Sequence, residues 1–102
     1  MAQVVVLYKT PHDVAAFDKH YLEKHVPLAK KISGVRKFEY SQGRVASPAG
    51  ASNIHLVAIL HFDDMAAIQK AFASPEGQAA AADVPTFATG GAELLLFDTR
   101  EA

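Results

Sequence analysis

The chain has 102 residues, a formal net charge of −1 and no cysteine. That length fits one domain, residues 1–102. The charge balance lacks the basic stripe that a nucleic-acid binder needs, and Lys30-Lys31 with Arg36-Lys37 read as solvated surface beside Glu23 and Glu39. Without cysteine, disulfides, thiolate nucleophiles and Cys-ligated metal centres are excluded. Hydrophobic residues make up 50% of the chain, a high share for this length, which an interface between copies would explain. Met1-Ala2-Gln3 lacks the basic start of a signal peptide, and no apolar run approaches the ~20 residues that span a bilayer. The expectation is a cytoplasmic protein with no membrane partner.

Gln3 to Lys9 (QVVVLYK) is a β-branched run closed by Thr10-Pro11, and reads as a strand that is apolar on both faces. His12 to about Ser33 reads as a helix with Asp13 as its cap and Gly34 as its stop. Val14, Phe17, Tyr21, Leu28 and Ile32 form its apolar stripe. Pro27 removes one backbone bond and crowds the carbonyl four residues earlier, which predicts a kink or break near Lys24 to Val26. Val35 to Val45 has the mixed polarity of an edge strand, and Ala46 to Asn53 (ASPAGASN) reads as a flexible connection. Ile54 to Phe62 (IHLVAILHF) is a third strand, apolar on both faces. Asp63 or Asp64 caps a helix from Met65, and Ser74-Pro75 starts another that Pro85 ends or bends. Thr89-Gly90-Gly91 is a turn, and Ala92 to Asp98 (AELLLFD) the fourth strand.

The order β-α-β-β-α-β predicts an α+β, ferredoxin-like fold: a four-stranded antiparallel sheet with two helices on one face. Strands one and three are expected at its centre, parallel to each other, with two and four at the edges. The uncovered apolar face predicts a homodimer through sheet faces.

The residues able to carry chemistry concentrate between His20 and Gly34. On a wheel of about 100° per residue that starts at Phe17, Tyr21 falls near 40° and His25 near 80°, one turn apart at the rim of the buried stripe. His20 falls near about 300° on that wheel, which predicts that it faces solvent. A neutral imidazole is a good base near pH 7, and a phenol can donate to a developing oxyanion. The plainer alternative stands beside this: Tyr21 as core, and His25 bonded to a carbonyl that Pro27 frees. His20 and His25, five apart, diverge on an α-helix and make a poor ligand pair. His55 and His61 share a strand face roughly 20 Å apart, too far to hold one ion, so no metal is expected. Asp83 follows four alanines, and could orient His25 or simply face solvent. No P-loop, GxGxxG or nucleophile elbow occurs, and no cofactor is expected.

The segment Phe17-Asp-Lys-His-Tyr-Leu-Glu-Lys-His25-Val-Pro27-Leu28, with Gly34, Tyr40, Phe72-Ala-Ser-Pro75-Glu76-Gly77 and Ala-Asp83…Phe87, resembles the EthD family. The resemblance implies a dimeric α+β barrel with a ligand cavity between helices and sheet. It matches His25 to the family's helix histidine, and Tyr40, Asp83 and Phe87 to pocket positions; Tyr21 stands where relatives often have another aromatic. The expected function is a cofactor-free enzyme of isomerase, cyclase, dehydratase or monooxygenase type, acting on a small hydrophobic carbonyl, phenol or lactone in catabolic or secondary metabolism. His25 would be its base, Tyr21 and Asp83 would assist, and Phe17, Leu28, Tyr40 and Phe87 would contact substrate. The alternatives are a non-catalytic accessory protein that binds a hydrophobic metabolite, and a haem-binding protein.

Overall fold

The computed structural model describes residues 1–102. In chain order its elements are β1 (Ala2–Lys9), α1 (Val14–His20), a π-helical turn (Tyr21–His25), α2 (Val26–Lys30), β2 (Lys37–Tyr40), β3 (Ala46–Ser47), β4 (Gly50–Ala51), β5 (Ile54–Phe62), α3 (Met65–Ala73), α4 (Pro75–Phe87) and β6 (Ala92–Asp98). The main sheet has four strands in the order β2-β5-β1-β6, and every neighbouring pair is antiparallel. This is the ferredoxin-like arrangement, with the two β-branched runs at the centre.

The expectation that the central strands run parallel is corrected. The helical crossover after β1 returns the chain so that β2 starts in the direction of β1. The connection through β3 and β4 then reverses it, so β5 lies antiparallel to β1, with Val4 opposite Leu60 and Val6 opposite Ala58.

Alternation sorts the sheet's side chains. Ala2, Val4, Val6 and Tyr8 from β1, with Leu56, Ala58, Leu60 and Phe62 from β5, are buried beneath the helices. They form one core with Phe17, Tyr21, Ala29, Ile32, Ile68, Ala71, Ala80 and Phe87. Val5, Leu7, Val57 and Ile59 point to the opposite face and are only half-buried, and Leu94 to Phe97 of β6 are exposed.

Asp13 caps α1 by accepting from the Ala16 N–H at 3.0 Å. The strain expected at Pro27 does not break the helix. The Val26 N–H bonds the Tyr21 carbonyl, five residues back, and the backbone stays right-handed from His20 to Lys31. The widened turn lies immediately ahead of the proline ring, which would otherwise press on the carbonyl of Glu23. Ser74 accepts from Gly77 N–H at 3.1 Å to start α4. A side chain on Gly77 would collide with the Ala71 carbonyl, so glycine sets how closely α4 approaches α3. Pro85 does not end α4, which continues to Phe87. The second strand is shorter than its expected span, and part of the supposed flexible connection pairs as the β3–β4 hairpin.

Candidate active site

His25 is the sole buried polar or charged residue of the core, 6% exposed. Its Nδ1 lies 3.0 Å from Oδ2 of Asp83, and its Nε2 3.5 Å from the Tyr8 hydroxyl. A carboxylate can only accept, so Asp83 fixes the proton on Nδ1 and leaves the Nε2 lone pair facing Tyr8. The Tyr8 contact is at the limit of a hydrogen bond and is weak. Burial pushes the His25 imidazole below its usual range, and the Asp83 carboxylate only partly offsets it. Burial pushes the Asp83 carboxyl up, but hydrogen bonds from His25, His20 and Thr86 outweigh it, and the group is held below its usual range. The pair at neutral pH is therefore a neutral imidazole on an ionised carboxylate.

The π turn explains why His20 belongs here, against the expectation that it faces solvent and diverges from His25. At 100° per residue the two histidines would lie about 140° apart; a turn that takes one extra residue brings them round to the same side. The His20 Nε2 lies 3.0 Å from both oxygens of Asp83, and the His20 ring stacks on Phe87 at 4.9 Å. The Thr86 hydroxyl donates to Asp83 Oδ1 at 3.1 Å.

Tyr21 and His25 stack at 5.6 Å, as one helical turn requires. The Tyr21 hydroxyl is buried and has no hydrogen-bond partner in the protein. Burial, with Tyr8 and Tyr40 nearby, raises the Tyr21 phenol far above its usual range, and burial, with Asp83, does the same for Tyr8. Both remain protonated donors.

Two spaces border Tyr21. A small cavity of about 50 Å³ lies between helices and sheet, walled by His25, Tyr8, Tyr21, Phe38, Phe72 and aliphatic side chains. An open cleft of about 460 Å³ lies beyond, lined by Tyr21, Leu22, Tyr40, Ser41, Arg44 and His55 among others.

The structure thus brings His25, Tyr21 and Asp83 together. Phe87 packs on His25 at 4.9 Å and Phe17 on Tyr21 at 5.9 Å; Phe17 and Phe87 back the cluster and do not line its cavity. Tyr40 meets the Tyr21 ring at 5.5 Å on the cleft side. Leu28 packs against the core and lines neither space. Tyr8 and His20 are the site residues that sequence reasoning missed. Tyr8 was readable as the last residue of the Val4-Val6-Tyr8 face; His20 was hidden by the π turn. His55 and His61 do not share a face. The pairing register shifts at Tyr8/Lys9, and His55 turns toward the helices, 2.8 Å from Asp18 and edge-on to Phe17. His61 stays on the outer face, 2.8 Å from Glu39. No helix is long and apolar enough to cross a membrane.

The EthD domain model matches residues 9–91, a span that contains all of these residues except Tyr8. An uncharacterised 11.0 kDa protein from the thcB-thcC intergenic region of Rhodococcus erythropolis is 46% identical over 99 residues, covering 96% of this chain and 94% of that one. The crystal structure of an EthD family protein from Bacillus halodurans superposes with a TM-score of 0.90 at 34% identity, covering 98% of this chain and 99% of the other. SnoaB, a cofactor-independent oxygenase from Streptomyces nogalater, superposes with a TM-score of 0.69 at 19% identity over 99% of this chain and 94% of its own; there the likeness is of fold alone. By family match, sequence relative and structure, this chain belongs to the EthD family.

Proposed function

We propose that this protein is a cofactor-free enzyme that uses His25 as a general base on a small hydrophobic carbonyl, phenol or lactone. The observation that carries the reading is the His25–Asp83 pair: a buried neutral imidazole, its Nδ1–H held at 3.0 Å by a carboxylate, its Nε2 lone pair open to a cavity. That is the protonation state a base needs near pH 7. Asp83 orients the ring and stabilises the imidazolium that forms. Substrate displaces the weak Tyr8 contact at small cost.

In the proton-abstraction step, a C–H bond next to a carbonyl (or an O–H of a phenol) breaks, and its proton bonds to Nε2. The electron pair moves onto oxygen, where the unpartnered Tyr21 hydroxyl is available to donate. Return of the proton at another atom gives isomerisation or cyclisation. The cavity of about 50 Å³ admits a reacting group and not a whole substrate, whereas the cleft of about 460 Å³ has the size of a small-ligand site. On this reading the substrate body lies in the cleft against Tyr40 and beside Tyr21, which borders both spaces, with Phe17 and Phe87 packed behind Tyr21. SnoaB, of like fold, is a cofactor-independent oxygenase, which supports the absence of a cofactor requirement by analogy only.

In this reading residues 1–102 act as one cytoplasmic domain in a homodimer. The bare outer sheet face, with Val5, Leu7, Val57, Ile59, Leu95 and Phe97, supports the dimer.

The test is deuterium uptake from D₂O into a panel of small hydrophobic ketones and lactones, followed by mass spectrometry with wild type and His25→Gln. Uptake that His25→Gln abolishes supports the base. Stoichiometric binding without exchange or turnover, unchanged in His25→Gln, would favour a non-catalytic binder of a hydrophobic metabolite.

A further inference from the structure

One oxygen, Oδ2 of Asp83, lies 3.0 Å from His25 Nδ1 and 3.0 Å from His20 Nε2. The two histidines share a single negative charge, and they share it unequally. The His25 side chain is 8% exposed; that of His20 is 25% exposed and borders a surface hollow of about 210 Å³ with His12 and Asp13. We infer that His20 takes the first proton as pH falls and, by claiming the Asp83 charge, keeps His25 in its free-base form: His20 is a positioning residue that extends the acid side of the enzyme's working range.

Three physical terms favour that order. A charge at His20 reaches water through the hollow, whereas a charge at His25 sits beneath the helices. A protonated His20 lies over the face of Phe87, with ring centroids 4.9 Å apart and planes 18° from parallel, where the ring's negative quadrupole favours a cation. Once His20 carries a charge, a second cation at His25 meets a like charge and a carboxylate already neutralised. The titratable groups around His25 are Asp83 of α4, Tyr8 of β1, Tyr21 of its own turn and His20 across the shared carboxylate; Asp83 is the one that carries a charge at neutral pH. Glu23 and Lys24 of the same turn are exposed. His20 faces Asp83 and Phe87, with His12 and Asp13 across the hollow.

The inference rests on His25 as the base, and its test is built to fail separately from that reading. The intact protein, labelled with ¹⁵N in its histidines, is titrated by NMR in wild type and in His20→Gln, which keeps an N–H donor near Asp83 and cannot be charged. The wild-type spectrum should show His20 protonating before His25. In His20→Gln the His25 midpoint should move to higher pH, its proton affinity rising at least about threefold. If the variant does not fold, the order of protonation in wild type alone decides. Where a substrate is in hand, the acid limb of the kcat/KM profile should shift to higher pH in His20→Gln. The proposal is overturned if His25 protonates first, or if its midpoint is unmoved in His20→Gln. A His25→Gln protein with full activity would instead sink the base assignment and leave these titrations standing.

Discussion

Two histidine–carboxylate pairs of nearly equal length sit on opposite faces of one sheet. His25 and Asp83 meet at 3.0 Å beneath the helices, where their side chains are 8% and 15% exposed; His61 and Glu39 meet at 2.8 Å on the outer face, at 19% and 46%. Distance does not separate them. Burial does: it displaces the His25 equilibrium toward the neutral form, whereas the His61–Glu39 pair lies within reach of water. The buried imidazole is thereby held neutral, its proton directed at Asp83, while the outer pair is a surface contact of small energetic weight. The same contrast extends to the sheet itself. Its inner face is buried by helices along β1 and β5 around one polar cluster, and its outer face leaves Val5, Leu7, Val57 and Ile59 half-covered.

The largest expected effect tests the walls of the buried pair. Phe87 is 5% exposed and touches Tyr8, Phe17, Tyr21, His20 and His25 by ring packing. Phe87→Ala should cost about 3–5 kcal/mol in urea denaturation, with loss of any His25-dependent activity. Next comes the carboxylate. Asp83→Asn removes the charge that both histidines share and should cost about 1–3 kcal/mol, and the His25 proton should no longer be confined to Nδ1 in ¹⁵N spectra.

A third effect is the pH dependence of the melting temperature. The folded His25 binds its proton less tightly than the unfolded chain does, so protons favour unfolding. Stability should decline as pH falls below the unfolded histidine value of about 6.5, until the folded value is passed. Asp83, held low in the folded state, contributes stability that is present above the unfolded value of about 3.9 and lost as pH falls through its folded one. His25→Gln should flatten the first stage and shrink the second, because the His25 N–H is one of the bonds that hold Asp83 low. Smallest is the outer pair: Glu39→Gln should leave the melting temperature and the His25 titration unchanged. A large loss there would break the contrast between the faces.

Much of this was readable from residue order. β-branched alternation set the spans of β1 and β5, Ser74-Pro75 marked the start of α4, and the four-residue spacing of Tyr21 and His25 gave their stack. Other features depend on departures from regular geometry. A wheel at a fixed angle per residue put His20 on the wrong side, because it takes no account of a π turn. Strict alternation put His55 on the same face as His61, because it takes no account of the register shift at Tyr8/Lys9. Asp83 lies 58 residues from His25 in the chain, and only the docking of α4 on the π turn brings the two together. Local pattern found the buried histidine; tertiary packing supplied its carboxylate partner.

The measurement that bears most directly on the candidate site is the ¹⁵N imidazole spectrum of His25 followed across pH. A neutral ring with its proton on Nδ1, persisting to a midpoint below the ordinary histidine value of about 6.5, is the expected result. A ring protonated on Nε2, or a midpoint above that value, would contradict the assignment of His25 as a buried free base.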